Sequence, residues 1–508
     1  MMKFNYFKIK ECVNSIPKSD KLKGKRILFV TIRSFSFIFF QELFFANVYA
    51  RQGARVKVLL DDGILPHWDT YQLPDGDIKL NPYKKIKIRL VKSYLLYAFS
   101  HPNISVTYLS SMINENSLAM ARADINDQDR KDCISSVRRY FQNGRVDISD
   151  PIQRKYYDAS IENCVIMKAT INTIIDEWKP TLAITSHGIY SLWGPGYTIL
   201  KKHSIPTYVY GPHPYQPDCF DITDTLIQTL CKDSDSVEYM KNGEFTEEDK
   251  RTIQDFFDKR QNHKTIDTAI YYSWMDKEKA DTSFFEKKDD TVTTFCMFPN
   301  VIWDGDVAQR DKVFDGNLDY IISTINFFRN SNNFLYVRCH PSEATLCVND
   351  IKLIDILEKE IPDLYELKNV KIIRSEWKID TYDFIRNYVD IGIVYDGIIA
   401  MELTYLGKPV ISPSMARFNA GDFLINPNTR DEYFSLFENT DYLKSFINTT
   451  RINAMLKFAY WYIYKLAYYM PIYSTKVWLT ADFDKDFKVE MKNARFARSL
   501  NKLISIAQ

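Results

Sequence analysis

Short apolar runs alternating with helical segments constrain this chain more than any other feature of it. In the second half the series is nearly continuous. Strands are expected over 291–297, 334–337, 370–373, 391–394 and 409–411, with helices over 318–329, 351–360, 381–388 and 398–406 between them. Runs such as Phe334–Val337 and Ile391–Val394 lack a polar alternate, which suits parallel strands covered on both faces. The first half repeats the plan. A strand over 25–31 precedes a helix over 36–52, closed by Gly53, and a strand over 55–60. A long helix over 156–178 then leads to a strand over 181–185, a helix over 193–203 and a strand over 207–210. Such alternation predicts doubly wound α/β sheets. The chain has 508 residues, too many for one core, so two Rossmann-like domains are expected, 1–265 and 266–508. The boundary falls in a stretch over 231–288 that is rich in Asp, Glu, Lys and Thr and reads as surface helices and a connection. Helices at the end of the chain are expected to return to the first domain.

Composition removes several classes of function. Lys+Arg number 66 and Asp+Glu 65, so the formal charge of +1 offers no basis for a nucleic-acid polymer as partner. Eight scattered cysteines without a C-x-x-C pair read as reduced, buried thiols, and seven histidines show no ligand spacing, so no structural metal is expected. The N-terminus, MMKFNYFKIKECV, lacks the apolar core of a signal peptide. The most membrane-like run, Ile27–Phe45, carries Arg33, Gln41 and Glu42, and reads better as strand then helix. The protein is expected in the cytoplasm. The 33 tyrosines, 33 phenylalanines and 8 tryptophans read first as core filling. The aromatic helical stretch over 443–469 reads as a packed helix, with Lys457 and Lys465 leaving peripheral contact with the membrane as the alternative.

Ligands of open α/β sheets bind outside the carboxyl ends of the strands. In the second half those ends are consistently polar: Phe298-Pro299-Asn300, Arg338-Cys339-His340-Pro341-Ser342-Glu343, Arg374-Ser375-Glu376, Tyr395-Asp396-Gly397 and Ser412-Pro413-Ser414. This set suits a nucleotide phosphate. Arg338 and His340 can neutralise phosphate oxygens, Arg338 in a bidentate grip. Gly397 at a helix start lets the backbone approach an anion closely. Glu402, further along that helix, can accept both hydroxyls of a ribose. Asp396 is either the helix N-cap or a ligand group.

The stretch YVDIGIVYDGIIAMELTYLGKPVI, residues 388–411, resembles the donor-site signature of GT-B glycosyltransferases: a strand, a small turn and a helix with a ribose-binding Glu before G-K-P-V-I. With FPNVIWD at 298–304 and RCHPSE at 338–343, it is most similar to bacterial capsule and surface-polysaccharide transferases. The resemblance is specific over 290–415 and loose over the first 215 residues. It implies two Rossmann-like domains facing across a cleft, with the nucleotide sugar held by the second. The donor positions implied are Arg338, His340, Ser342, Glu343, Asn300, Tyr395, Asp396, Gly397 and Glu402. Many relatives carry Ser or Asn where this chain has Asp396, so the carboxylate is expected on sugar or ribose hydroxyls. The retaining E-x7-E pattern is absent, since Val394 stands eight residues before Glu402, which favours inversion.

An inverting transferase needs a base near the acceptor hydroxyl. Two strand ends of the first half offer one: Asp61-Asp62-Gly63 and Ser186-His187-Gly188. A D-D-G triplet accompanies an HP motif in sialyltransferases and Kdo transferases, where an Asp is the base. That makes Asp62 one candidate, His187 the other, and a simple polar turn the plain reading of the triplet. The expected function is therefore a metal-independent, inverting transferase without further cofactor, moving a sugar from a nucleotide-sugar donor to a glycan or lipid-linked acceptor. The catalytic candidates are His187, Asp62 and His340. Asp304-Gly305-Asp306 is the nearest approach to a metal-binding D-x-D. The alternatives are a polyol-phosphate transferase of teichoic-acid type, a catalytically inactive nucleotide- or glycan-binding subunit, and a sugar-nucleotide epimerase, which the long 215–290 segment disfavours.

Overall fold

The computed structural model describes residues 6–33, 37–67, 82–265, 284–285, 289, 291–303, 311–346, 351–377, 379–415, 417–475, 482 and 485–508. The chain divides into two compact units, 1–137 with 147–227 and 465–508, and 138–146 with 228–464. Helices Ser234–Asn242 and Glu247–Gln261, expected before the domain boundary at 265, thus lie in the second unit.

In the first unit β1 (Arg26–Ile32), β2 (Arg55–Leu60), β3 (Ile104–Tyr108), β4 (Leu182–Thr185) and β5 (Thr207–Pro212) run parallel in the order β5-β4-β1-β2-β3. β6 (Cys219–Thr223) folds back antiparallel on β5. β1 is apolar on both faces because helices cover both. Phe45 of helix Phe37–Arg51 packs edge-on against Tyr210 and Phe220 below one face, and Leu28 and Val30 join a core with Met167, Ile171 and Trp193 on the other. The membrane-like run is therefore a strand and a helix. The long helix Pro151–Trp178 starts as its sequence dictates, with Pro151 in the first turn and the Asp150 carboxylate accepting from Ile152 and Gln153 N–H. Its Lys168 is buried, held by Asp129 at 2.7 Å and Asp124 at 2.9 Å.

The second unit holds β7 (Thr294–Phe298), β8 (Phe334–Arg338), β9 (Val370–Ile373), β10 (Ile391–Val394) and β11 (Val410–Ile411), all parallel, in the order β11-β10-β7-β8-β9. Numbered within their own units, both sets of parallel strands have the order 5-4-1-2-3, the doubly wound arrangement expected from the alternation. Aromatic rings fill this core: Phe295 meets Phe437 at 5.2 Å and 89°, and Phe314 meets Tyr433 at 5.1 Å and 86°.

The expected helix over 443–469 is not continuous. It breaks after helix Thr440–Phe446, resumes as Thr449–Tyr460, widens into a π-helical turn at Trp461–Lys465 and ends in β12 (Tyr468–Tyr469). Lys457, a candidate for membrane contact, donates to the Met240 carbonyl at 3.1 Å. β12 pairs antiparallel with β6 and closes that edge of the first sheet, and Arg495 of helix Ala494–Ser505 binds Asp218 through both Nη atoms at 2.8 and 3.2 Å. No helix among the described residues is long and apolar enough to cross a membrane.

Candidate functional site

In each unit the strand order reverses between the first and fourth parallel strands, and the crevice outside that reversal is where such sheets take ligands. In the second unit the reversal lies between β7 and β10. Asn300, just past β7, spans it: its side-chain oxygen accepts the Asp396 N–H at 3.1 Å. Gly397 has φ +144, a backbone conformation side-chain-bearing residues avoid, yet a Cβ built there would meet only Ile399 Cγ2 at 3.7 Å. Glycine is needed here for its backbone conformation rather than for lack of room, and the space beside it is open. Asn300, Asp396 and Gly397 are thus brought together as expected.

The Asp396 carboxylate is placed differently. Helix Ile399–Tyr405 has Ile398 at its N-cap and no side-chain cap, so Asp396 does not cap it. Its carboxylate is buried in a forked pair with Arg417, at 2.9 Å from Nη2 and 3.1–3.2 Å from Nε. A buried carboxylate is retained where a cation meets it. The side chain of Arg417 is 24% exposed against 0% for Asp396, so Arg417 is the partly exposed member of the pair.

Other expected donor groups also have internal partners. Glu402 Oε1 accepts from Arg260 Nε at 2.7 Å and Tyr382 Oη at 2.8 Å, and both Glu402 and Arg260 are buried. The carboxylate meant for a ribose therefore anchors helix Glu247–Gln261. Arg338 is buried and donates to the Arg374 carbonyl at 2.8 Å and the Trp377 carbonyl at 3.5 Å, tying the end of β8 to the loop after β9. Its guanidinium braces the loop instead of opening toward a phosphate. Tyr395 faces the core, its ring 5.3 Å from Tyr320 and its hydroxyl on Asp311.

His340 fits its expected place best. It is half-buried, and its Nδ1 accepts the Ser342 N–H at 3.1 Å. That bond leaves Nε2 as the protonated nitrogen of the neutral ring, a donor whose direction the Pro341 turn fixes. Ser342 is buried beneath it. Glu343 is 2% exposed; its Oε2 accepts the Leu353 N–H at 3.4 Å, and its Oε1 has no hydrogen-bond partner among the described residues. Burial pushes this carboxyl up to about 7.

The base candidates in the first unit sit on different strands. Asp61 Oδ1 accepts from Gly63 at 2.8 Å and Ile64 at 3.1 Å, so the D-D-G triplet is an Asp-built turn. Asp62 is exposed and accepts from the Ser110 hydroxyl and from Ser110 N–H at 3.3 Å. His187, after β4, lies within hydrogen-bond distance of Ser186 Oγ at 2.9 Å and stacks on Trp193 with centroids 4.7 Å apart at 20°. β1 separates β2 from β4 in the sheet, so Asp62 and His187 do not share a strand-end neighbourhood. Asp304 and Asp306 lie outside the described residues. Among the described residues, no group of three His, Cys, Asp or Glu could hold a metal ion.

Three basic groups were not expected in these roles: Arg33, over the Trp193 ring, Arg417 and Arg260. Arg33 was legible, since it directly follows β1 and the strand-end rule applies there too. Arg417, six residues beyond β11, and Arg260, inside a charged helix, carry no sequence signal that separates them from solvent-facing arginines.

No family model matches the chain, and no curated protein does. Solved structures to which it is similar include the KpsC β-Kdo 2,7 transferase of Thermosulfurimonas dismutans, 13% identical over 51% of this chain and 72% of that one, with a TM-score of 0.32. A glycosyltransferase from Rickettsia africae is 11% identical over 95% of this chain and 98% of its own, with a TM-score of 0.29. The UDP-GlcNAc 2-epimerase of Neisseria meningitidis, bound to UDP-GlcNAc, is 11% identical over 85% of this chain and 97% of its own, with a TM-score of 0.26.

Proposed function

We propose that the chain is a glycosyltransferase that takes a sugar from a nucleotide-activated donor and passes it to a cell-surface glycan or its lipid-linked precursor, with inversion and without a metal. The observation that carries this reading is the β7/β10 reversal of the second unit, where Asn300 and the open backbone at Gly397 form a crevice edge, with the His340 imidazole on the turn after neighbouring β8. The donor's phosphates sit along this edge. The acceptor hydroxyl attacks the anomeric carbon while the bond from that carbon to the phosphate oxygen breaks. The electron pair goes to the nucleotide phosphate, and the hydroxyl proton goes to a side-chain base. His340 Nε2–H donates to the departing phosphate, where charge grows most in the transition state. The second unit holds the donor and the first the acceptor. The strand-end position of His187, bonded through Nδ1 and stacked on an indole, favours it over the exposed, Ser110-bound Asp62 as base.

The test is a thermal-shift panel of CMP, UDP and GDP, followed by a transfer assay with the matching donor in EDTA. A nucleotide at 100 times its Kd stabilises the native state by about 2.7 kcal/mol, a readily measured shift. No response to any of the three removes the donor reading. A response without sugar transfer favours a binding subunit, and loss of transfer in EDTA returns attention to Asp304 and Asp306.

A further inference from the structure

Two helices of the first unit expose apolar side chains among cations that the reaction as described leaves unused. Helix Tyr6–Ser15 and helix Pro82–Ala98 meet where the Tyr6 and Tyr97 rings stack, 5.4 Å apart at 16°. Phe7 meets Tyr6 edge-on at 5.7 Å and is itself 81% exposed. Tyr97 is 66% exposed. Leu90, equally exposed, lies two turns earlier on the same face of its helix, about 10 Å away. A single apolar side chain on a surface needs no explanation, but a joined set from two helices does.

The charge around these side chains is mainly positive. Helix Pro82–Ala98 spells five basic residues, Lys84, Lys85, Lys87, Arg89 and Lys92, and no acidic one, in a chain whose formal charge is only +1. Arg89 is exposed beside Leu90. In helix Tyr6–Ser15 the acid, Glu11, is paired with Lys8 at 3.2 Å. Lys10 lies over the Tyr6 ring at 5.8 Å and donates to Ser100 Oγ at 3.3 Å, which carries its charge to the far end of the second helix. There Lys10, Lys18 and Arg51 converge on His101. Burial first, and then Arg51, Lys18 and Lys10 in turn, hold that imidazole below its ordinary value.

An excess of cations around exposed rings fits an anionic bilayer better than other occupants. A second copy of this face would bring like charges together. A dissolved phosphate would use the cations and leave Leu90 and the rings in water. At a bilayer surface the apolar side chains enter the headgroup boundary while Lys and Arg stay at the phosphates. We infer that helices Tyr6–Ser15 and Pro82–Ala98 form a face that docks the protein on a membrane rich in anionic phospholipid. Phe7, Leu90 and Tyr97 insert, and Lys10, Lys18 and Arg89 lie over the headgroups. This face is distinct from the aromatic stretch over 443–469, whose Lys457 is held by the Met240 carbonyl. The face stands without the transferase reading. Under that reading, docking holds the first unit at the membrane that carries a lipid-linked acceptor.

The experiment is co-sedimentation of the intact chain with vesicles of phosphatidylcholine alone and of phosphatidylcholine mixed with phosphatidylglycerol, in low and high salt. Binding to the mixed vesicles is expected to be about tenfold tighter or more, and to weaken as salt rises. Leu90→Ser with Tyr97→Ser should weaken it about tenfold, because the inserted apolar surface is lost. Lys18→Gln with Arg89→Gln should cost about tenfold or more on the mixed vesicles and little on the neutral ones. Circular dichroism reports whether each variant is folded. Leu90→Ser alone, which leaves the Tyr6 stack intact, decides the matter if the double variant is not. The proposal is overturned if neither vesicle binds, if both bind alike, or if a folded apolar or charge variant binds like the wild type. Binding of inorganic phosphate or a DNA oligonucleotide without binding of either vesicle would also overturn it, and would name the occupant instead. Vesicle binding by a chain that transfers no sugar would sink the transferase reading and leave the face standing. Transfer to a water-soluble acceptor without vesicle binding would do the reverse.

Discussion

His340 is the residue on which the donor reading can be tested most sharply. A backbone N–H two residues on holds its Nδ1, so removing the ring deletes the donor assigned to the phosphate. His340→Ala is expected to lower kcat by about 10²–10³ with a much smaller change in donor KM, measured by steady-state transfer assays. A kcat near wild type would mean that the strand end holds no leaving group. For Glu402 the structure reverses the naive expectation. Glu402→Gln leaves Arg260 buried without its counter-charge, so stability should fall by about 3–5 kcal/mol in denaturant unfolding, whereas replacing both residues by apolar ones should cost far less. A stable Glu402→Gln protein with weakened nucleotide binding would restore the ribose role. Glu343 gives a pH signature. Its carboxyl titrates at about 7 when folded against an ordinary value near 4.5, so the native state binds the extra proton between those values. Stability from this group is therefore greatest at low pH and declines as pH rises toward 7. Glu343→Gln should remove that decline, raising stability above pH 7 by about 3 kcal/mol at most and leaving it unchanged near pH 4, as read from melts across pH. Glu42 of the first unit, buried beside the Thr31 and Tyr210 hydroxyls and also raised to about 7, is expected to add a decline of the same sign.

At the scale of the element, the turn between β10 and helix Ile399–Tyr405 is set by one dihedral. Gly397→Ala meets no steric obstacle, yet it places a side chain on a backbone with φ +144. The expected cost is about 1–3 kcal/mol of stability, or a relaxed turn that swings the Asp396 N–H away from Asn300. Urea unfolding and nucleotide titration distinguish the two, and an alanine variant with native stability and native affinity would show that the turn does not shape the site. The strands and helices around it were legible because their periodicity is local. Val370–Ile373 and Thr381–Tyr388 begin and end where their apolar runs predict. β3, β6 and β12 were not expected. β3 is only half-buried, and β6 and β12 are short, five and two residues, and pair with each other across more than 240 residues of chain, roughly half its length.

Across the whole molecule, the returning tail carries the clearest consequence. β12 covers the otherwise open edge of β6, and Arg495 fixes the segment through Asp218. A chain ended at Tyr464 exposes that edge and the apolar surface beneath helix Ala494–Ser505, including Phe44, which meets Phe496 at 6.2 Å. Such a truncation is expected to aggregate or melt well below the full chain, by sedimentation and calorimetry. A soluble truncation of wild-type stability would show that the tail is dispensable to the first unit.

Local order in the sequence determined the class of fold. Apolar runs covered on both faces, spaced by helical segments, admit little besides parallel sheets, and glycine at 397 and proline at 341 mark turns that depend on nearest neighbours. The same local logic found the strand ends. Side-chain partners were decided only by tertiary structure. Arg260 lies 142 residues before Glu402 and Arg417 21 after Asp396, and nothing local tells a carboxylate that will meet a buried guanidinium from one that will meet a ligand. The energy of a buried charge depends on which opposite charge the fold brings to it, and that is settled by long-range packing.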